Sequence, residues 1–394
     1  MKNLLILTSR CFEDAYANGI CAQEIRRALL KRPEINKVFL VGYTKKPGFE
    51  GFSDDDSYKF TYNKSKKSNK LISLQKTISP YIRKDLVDKY VEVAKKIISE
   101  NRIDAIISMF FPLETLVACQ KLKKIYPDIS TISYQFDSAT DIGVFSSRLS
   151  PLHIKAYENY LNKLYSDIDH IIVMESNRKD IQKRYSKYSK KIYYVNSLAL
   201  YDYKESEYVD DNTIDFLYTG TLEKDNYTPE PFFRFFSQNP EKTNWRLHFF
   251  SRGNCEELIK AVSQKDKRVI QHGYIDSCLL NEHLKKADFL LSTDNVLKPN
   301  CVPYKILNYF SFGKPIIHFT KINGFTVENY INKYPLAICV NQENMSGDNQ
   351  RILKFIDNSR GKKVNKDYIF STFYKDTPAY SADLIIKILY GANQ

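Results

Sequence analysis

The sequence predicts an α/β protein of two doubly wound, Rossmann-like domains facing each other across a cleft, and three observations carry that prediction. Short apolar runs of strand length alternate with amphipathic helical segments, the pattern of parallel sheets covered on both faces. The alternation runs twice along the chain, with a break at 196–213. A length of 394 residues exceeds what one hydrophobic core serves, so two domains are expected.

The first series opens with LLILT (Leu4–Thr8), a continuous apolar run that reads as a buried strand, then a polar loop and the helical pattern AQEIRRALLK. KVFLVGY (Lys37–Tyr43), IDAIISMF (Ile103–Phe110), STISYQF (Ser130–Phe136) and HIIVM (His170–Met174) continue it. The amphipathic VDKYVEVAKKIISE precedes the third of these five strands. SLALYDYKESEYVDDNT then loses the rhythm and gains acidic residues, which marks the junction. The second series runs through IDFLYTG (Ile214–Gly220), WRLHFFS (Trp245–Ser251), RVIQHGY, ADFLLST (Ala287–Thr293), PIIHF (Pro315–Phe319) and LAICV (Leu336–Val340). This divides the chain into 1–200 and 201–375, with TPAYSADLIIKILY in 376–394 packing back toward the first domain.

Fifty-nine Lys and Arg against 46 Asp and Glu leave a net charge of +13, which favours polyanions, anionic membrane surfaces or phosphorylated ligands. The basic residues concentrate in NKSKKSNK (Asn63–Lys70) and RKDIQKRYSKYSKK (Arg178–Lys191), read either as solvated faces or as contacts with an anionic membrane. Seven scattered cysteines without a CxxC pair suggest neither a disulfide framework nor a zinc site. The opening MKNLLILTS is too short for a signal-peptide core, and no apolar run approaches the roughly 18 to 20 residues of a membrane span, so a cytoplasmic protein is expected. The six histidines lack metal-ligand spacing, and no GxxxxGK[ST] loop or GxSxG elbow occurs. SDDD (Ser53–Asp56) and DID (Asp167–Asp169) do not follow buried strands as a metal-binding DxD would, so neither a metal nor a cofactor is expected.

The most informative segment is NCVPYKILNYFSFGKPII (Asn300–Ile317). Pro303 suits the start of a helix, whose free N–H groups favour an anion near Val302–Lys305, and Lys305 adds a point charge. One turn onward Asn308 is placed to hydrogen-bond ribose hydroxyls, and Gly313 ends the helix before the strand that Pro315 begins.

HGYIDSCLLNEHLKKADFLLSTDN followed by CVPYKILNYFSFGKPII, with the order of elements before them, resembles the retaining nucleotide-sugar glycosyltransferases of family four (group 1), which have the two-Rossmann GT-B fold. The resemblance in pattern covers most of the chain and is specific in the C-terminal half. It implies that a nucleotide-diphosphate sugar is the substrate, that the sugar passes to an acceptor hydroxyl with retention, and that no metal takes part. The C-terminal domain would bind the donor through Gly220, Arg252, Tyr274, Asn300, Pro303, Tyr304, Lys305 and Asn308. Lys305 and Lys224 would stabilise the departing diphosphate, with Arg252 as the alternative cation, and Asp137 would steer or deprotonate the acceptor. The N-terminal domain would bind a glycan or lipid-linked saccharide acceptor of bacterial surface polysaccharide synthesis, with Asn18 and Gly19 in an open loop and Glu114 at a strand end. Peripheral contact with the anionic inner face of the cell membrane goes with that acceptor, and nucleic acid is not expected as a partner.

The chain departs from the family pattern at named positions. Asn300 and Asn308 match two glutamates separated by seven residues, Thr221 matches an arginine, and Lys224 stands about two residues earlier than the family lysine. Two other classes stay open: a catalytically silent subunit that binds nucleotide or glycan for a partner enzyme, motivated by the missing glutamates, and a basic nucleic-acid-binding protein, motivated only by the charge and the Lys/Tyr segments.

Overall fold

The computed structural model describes residues 1–10, 17–45, 50–52, 56–62, 80–110, 112–136, 151–206, 208, 211–224, 226–294, 302–321 and 326–391. Asp137, Asn300, the basic run Asn63–Lys70 and Ser53–Asp55 of the SDDD stretch lie outside the described residues. The chain forms two compact units: Met1–Ser197 together with Pro378–Gln394, and Leu198–Thr377.

The first unit holds strands β1 (Lys2–Arg10), β2 (Ile35–Thr44), β3 (Gly51–Phe52), β4 (Ser57–Thr61), β5 (Ala105–Phe110), β6 (Ser130–Gln135), β7 (His170–Met174) and β8 (Ile192–Val195) in the spatial order 3-4-2-1-5-6-7-8. Every pairing is parallel except β3 with β4. Strand β5, AIISMF, is buried at every residue, which explains a continuous apolar run where a half-exposed strand would alternate. The order reverses beside β1, as in a doubly wound sheet.

Helices α1 (Ala17–Leu30), α2 (Lys84–Glu100), α3 (Leu113–Ile125), α4 (Pro151–Asp167) and α5 (Arg178–Tyr185) accompany this sheet. The amphipathic repeat of α2 buries Leu86, Val87, Tyr90, Val93, Ala94 and Ile97, each contributing about 1.5–3 kcal/mol for the larger side chains. Asp167 and Asp169 precede β7 and are engaged in hydrogen bonds: Asp167 accepts from Gln120 at 2.7 Å, and Asp169 accepts from the backbone N–H of Thr131 at 2.8 Å.

The second unit contains β9 (Ile214–Leu222), β10 (Trp245–Gly253), β11 (Val269–Gln271), β12 (Phe289–Thr293), β13 (Ile316–Thr320) and β14 (Ala337–Asn341), ordered 11-10-9-12-13-14 and parallel throughout. The order switches between β9 and β12, the place at which an open parallel sheet offers a crevice beyond its strand ends. Its helices are α6 (Glu230–Ser237), α7 (Glu256–Lys265), α8 (Ser277–Lys286), α9 (Tyr304–Phe310), α10 (Thr326–Ile331), α11 (Met345–Ser359) and α12 (Lys366–Thr372). Aromatic packing dominates the core, with Phe216 in ring contact with Phe235, Phe236, Trp245 and Phe289.

The last helix, α13 (Pro378–Tyr390), rejoins the first unit. The Ser381 hydroxyl lies 2.9 Å from that of Tyr134 on β6, Asp383 accepts from Arg32 at 2.7 Å, and Tyr390 donates to the Glu34 carbonyl at 3.2 Å. Among the described residues no helix is long and apolar enough to cross a membrane.

Candidate functional site

The site is built at the switch point of the second sheet, where the C-terminal end of β9 meets the helix that follows β12. Tyr218 and Gly220 alternate along β9 and share one face of it. Gly220 is exposed with φ +113°, a backbone that side chains with a Cβ rarely adopt, and an added Cβ would stand 3.6 Å from the Lys305 ammonium. The strand end is thus bare backbone beside a cation.

Helix α9 carries Lys305 and is fixed to β9 by Tyr309, whose hydroxyl oxygen accepts from the Thr219 N–H at 3.0 Å. The Lys305 Nζ donates to the Tyr218 hydroxyl at 2.5 Å and lies 4.0 Å from the centroid of the Tyr218 ring and 4.9 Å from that of Tyr227. The residue as a whole is half-buried, but its ammonium end is enclosed by these rings. No carboxylate pairs with it among the described residues, and burial lowers its pKa to about 7. Tyr218 is fully buried, which raises its pKa well above the ordinary value; its O–H therefore stays protonated and donates to the Thr221 carbonyl at 3.0 Å. Tyr227 is held near the end of β9, within reach of Lys305, by the Glu223 N–H, which donates to the Tyr227 carbonyl at 2.7 Å.

The sequence assigned the anion to the helix start, and the geometry shifts the weight to the side chain. Pro303 is the residue before the first helical one, with φ −61° and ψ 134°, and α9 has only seven residues, too few peptide dipoles to make a strong end charge. Gly313 adopts φ +66° in the turn after α9, where a Cβ would approach the Tyr203 hydroxyl to 2.6 Å. Tyr304 is 48% exposed and in tilted ring contact with Tyr201.

Asn308 follows Lys305 by one turn and is half-buried. Its Oδ1 accepts from the Lys204 ammonium at 3.1 Å, so the oxygen expected to meet ribose already has a donor. Arg252, near the end of β10, places its guanidinium 5.2 Å from the centroid of Tyr274, a ring that is 69% exposed and open to stacking. The Lys224 side chain is exposed, while its backbone N–H donates to Asn254 Oδ1 at 2.9 Å.

The acceptor-side expectations change. Asn18 and Gly19 lie in the first turn of α1 rather than in an open loop, and Gly19 is buried. Glu114 is spent on an ion pair: its carboxylate accepts from Arg83 Nε at 2.7 Å, Arg83 Nη2 at 3.2 Å and the Arg83 backbone N–H at 3.1 Å. The side chain is 5% exposed, which leaves no face for a ligand.

Sequence reasoning missed Tyr218, Tyr227, Lys204 and Asn281. Only the first left a usable signal, since it stands two residues before the strand-end glycine. A Ser–His–Asp row also escaped notice: His318 lies 3.2 Å from Ser292 Oγ and 2.9 Å from Asp294 Oδ1. All three are at most 1% exposed, so the row fastens the ends of β12 and β13 and is no nucleophile. Among the described residues no group of three His, Cys, Asp or Glu side chains could hold a metal ion.

No protein-family model matches the sequence, and no curated protein matches it. Solved structures do match in fold. Over 100% of both chains the protein is similar to the lipopolysaccharide outer core galactosyltransferase WaaB in its apo form, at 13% identity and a TM-score of 0.58. Over 100% of both chains it is similar to UDP-GlcNAc 2-epimerase from Methanocaldococcus jannaschii, at 13% identity and 0.56. The fold is GT-B. A third match, covering 99% of both chains at 9% identity and 0.55, is the catalytic domain of starch synthase IV from Arabidopsis thaliana bound to ADP and acarbose. At these identities the likeness is one of fold.

Proposed function

We propose that the protein is a glycosyltransferase that moves a sugar from a nucleotide-diphosphate donor to an acceptor hydroxyl, with the donor held by the second unit at the Lys305 site. One observation carries this reading: an enclosed ammonium with no carboxylate partner among the described residues stands beside bare, exposed backbone at the sheet's switch point. A diphosphate supplies the missing counter-charge. The matched structures add support, since one is a galactosyltransferase, one is a UDP-GlcNAc 2-epimerase and one holds ADP.

In this reading Lys305 neutralises charge that grows on the diphosphate as the bond to the sugar breaks, a preorganised interaction able to lower the barrier by several kcal/mol. The exposed Lys224 closes over the phosphates, and Arg252 with Tyr274 supports the base. Transfer is retaining and independent of metal: the acceptor oxygen bonds to the anomeric carbon on the face the diphosphate leaves, and its proton passes to a diphosphate oxygen. Asp137 orients the acceptor hydroxyl, and Asn300 lies near the transferred sugar.

The acceptor is a lipid-linked saccharide of surface polysaccharide synthesis, reached at the cytoplasmic face of the membrane. On α5 and the turn after it, Lys179, Lys183, Lys187 and Lys190 are exposed, while Tyr185 is 2% exposed and Tyr188 packs on Tyr165. Contact with anionic lipid would therefore be electrostatic, without inserted rings.

The test is a thermal-shift screen against UDP, GDP, CDP and ADP with their sugar conjugates, since a ligand that binds only the native state raises its apparent stability. One nucleoside diphosphate should raise Tm in the wild type and not in Lys305→Met. No shift with any of them at millimolar concentration would reject the reading.

A further inference from the structure

Lys204 is a second ammonium in no ion pair with a carboxylate among the described residues. Its backbone N–H donates to the Ser311 carbonyl at 2.7 Å, which fixes the segment against the turn that follows α9. Its Nζ donates to Asn281 Oδ1 at 3.3 Å and to Asn308 Oδ1 at 3.1 Å, and lies 4.6 Å from the centroid of the Phe312 ring. Burial lowers its pKa; the nearby Asp202 acts the other way, and Lys285 adds to the lowering.

The hydrogen-bond inventory of this cluster is one-sided. An ammonium has three donors, two of which are used here. Both asparagine oxygens are engaged, and neither amide nitrogen makes a hydrogen bond among the described residues. What remains for a ligand is the third ammonium hydrogen and two amide groups, all donors, around a net positive charge. A carboxylate at position 308 would accept from hydroxyls; this cluster instead matches a group rich in acceptors and negative charge.

We propose that Lys204, Asn281 and Asn308 form a second anion subsite, one helical turn along α9 from Lys305, that takes a phosphoryl group of the ligand. The proposal rests on reading Lys305 as the first phosphate's cation. Two sources supply the same chemistry: the second phosphate of a diphosphate, or a phosphate carried on the ribose. The subsite explains why an asparagine suffices where the resembled family has a glutamate: Lys204 and Asn308 together replace an acceptor with donors.

The experiment titrates AMP, ADP, UDP, inorganic pyrophosphate, and adenosine 2′,5′- and 3′,5′-bisphosphate into the wild type and Lys204→Gln. Glutamine keeps a neutral donor for the asparagine oxygens and removes the charge. Lys204→Gln should weaken at least one probe with a second phosphoryl group tenfold or more, leave AMP within twofold, and melt at the same or a higher temperature. Loss confined to pyrophosphate, ADP or UDP assigns the second phosphate of the chain, and loss confined to a bisphosphate assigns the ribose. Unchanged affinity for every probe, equal weakening of AMP and the rest, or a lowered Tm would overturn the proposal. So would a wild type that binds neither pyrophosphate nor any nucleotide. Pyrophosphate binding that depends on Lys204, with no nucleotide bound, would instead reject the proposed function and keep the subsite.

Discussion

The two units treat enclosed charge in opposite ways. In the first, Glu114 and Arg83 satisfy each other through three hydrogen bonds, and the guanidinium also lies 5.5 Å from the Tyr62 ring centroid. In the second, Lys305 and Lys204 make their contacts with aromatic rings and neutral oxygens, and neither ammonium is in an ion pair among the described residues, although Asp202 lies near enough to act on Lys204. A completed pair holds structure together and has nothing left for a ligand. An uncompensated cation costs stability until an anion arrives, which is the reason to look for function there.

The largest effect expected on that contrast comes from breaking the completed pair. Glu114→Ala leaves Arg83 enclosed and unpaired, and should lower unfolding stability by about 3–5 kcal/mol while nucleotide affinity holds, read by denaturant unfolding and calorimetry. Unchanged stability would erase the distinction between the two charge environments. Lys305→Met should do the reverse. Nucleoside diphosphate affinity falls about 100-fold, which is about 2.7 kcal/mol, and the Tm of the free protein holds or rises because a desolvated charge is gone.

The pH dependence sharpens the contrast further. Lys305 titrates near 7 in the free protein, and a bound diphosphate raises that value. Affinity should be flat just below pH 7 and weaken by about tenfold per unit above it, until the pKa of the complex is passed. The stability of the free protein runs the other way. Its depressed lysine binds fewer protons than the unfolded chain between about 7 and the ordinary 10.5, so this residue makes stability rise with pH across that window. The smallest effect belongs to Gly220→Ala. A Cβ at φ +113° costs about 1–3 kcal/mol of backbone strain and covers the bare backbone in van der Waals contact with Lys305, so a modest Tm loss should accompany a several-fold loss of affinity.

The fold was legible because parallel strands buried on both faces print themselves as apolar runs: LLILT, AIISMF, HIIVM and FLLST all became strands. Strands β3, β4 and β8 did not announce themselves. The first is two residues long, SYKFT mixes polar side chains into five residues, and IYYV follows directly on a lysine-rich turn. Lys305 was readable from its own segment. Of its partners only Tyr218 left a signal, beside the strand-end glycine; Tyr227 and Lys204 come from other stretches and meet it, or its helix, only through the sheet order. Lys204 lay in a segment that reads as a junction. Glu114 does open a helix after a strand, as its segment reads, but its ion-pair partner Arg83 precedes it by 31 positions, and only packing pairs them. Asn18 and Gly19 look like a turn locally, yet the helical spacing of α1 reaches back through both.

The most direct test of the account is the number of protons taken up when the stabilising nucleoside diphosphate binds, measured by calorimetry at pH 8 in buffers of different ionisation enthalpy. At that pH Lys305 is mostly neutral in the free protein, and the nucleotide phosphates are already ionised. The account predicts uptake of close to one proton in the wild type and much less in Lys305→Met. Tight binding with no proton uptake in the wild type would contradict it, because Lys305 would then either already carry its proton in the free protein or not meet the diphosphate.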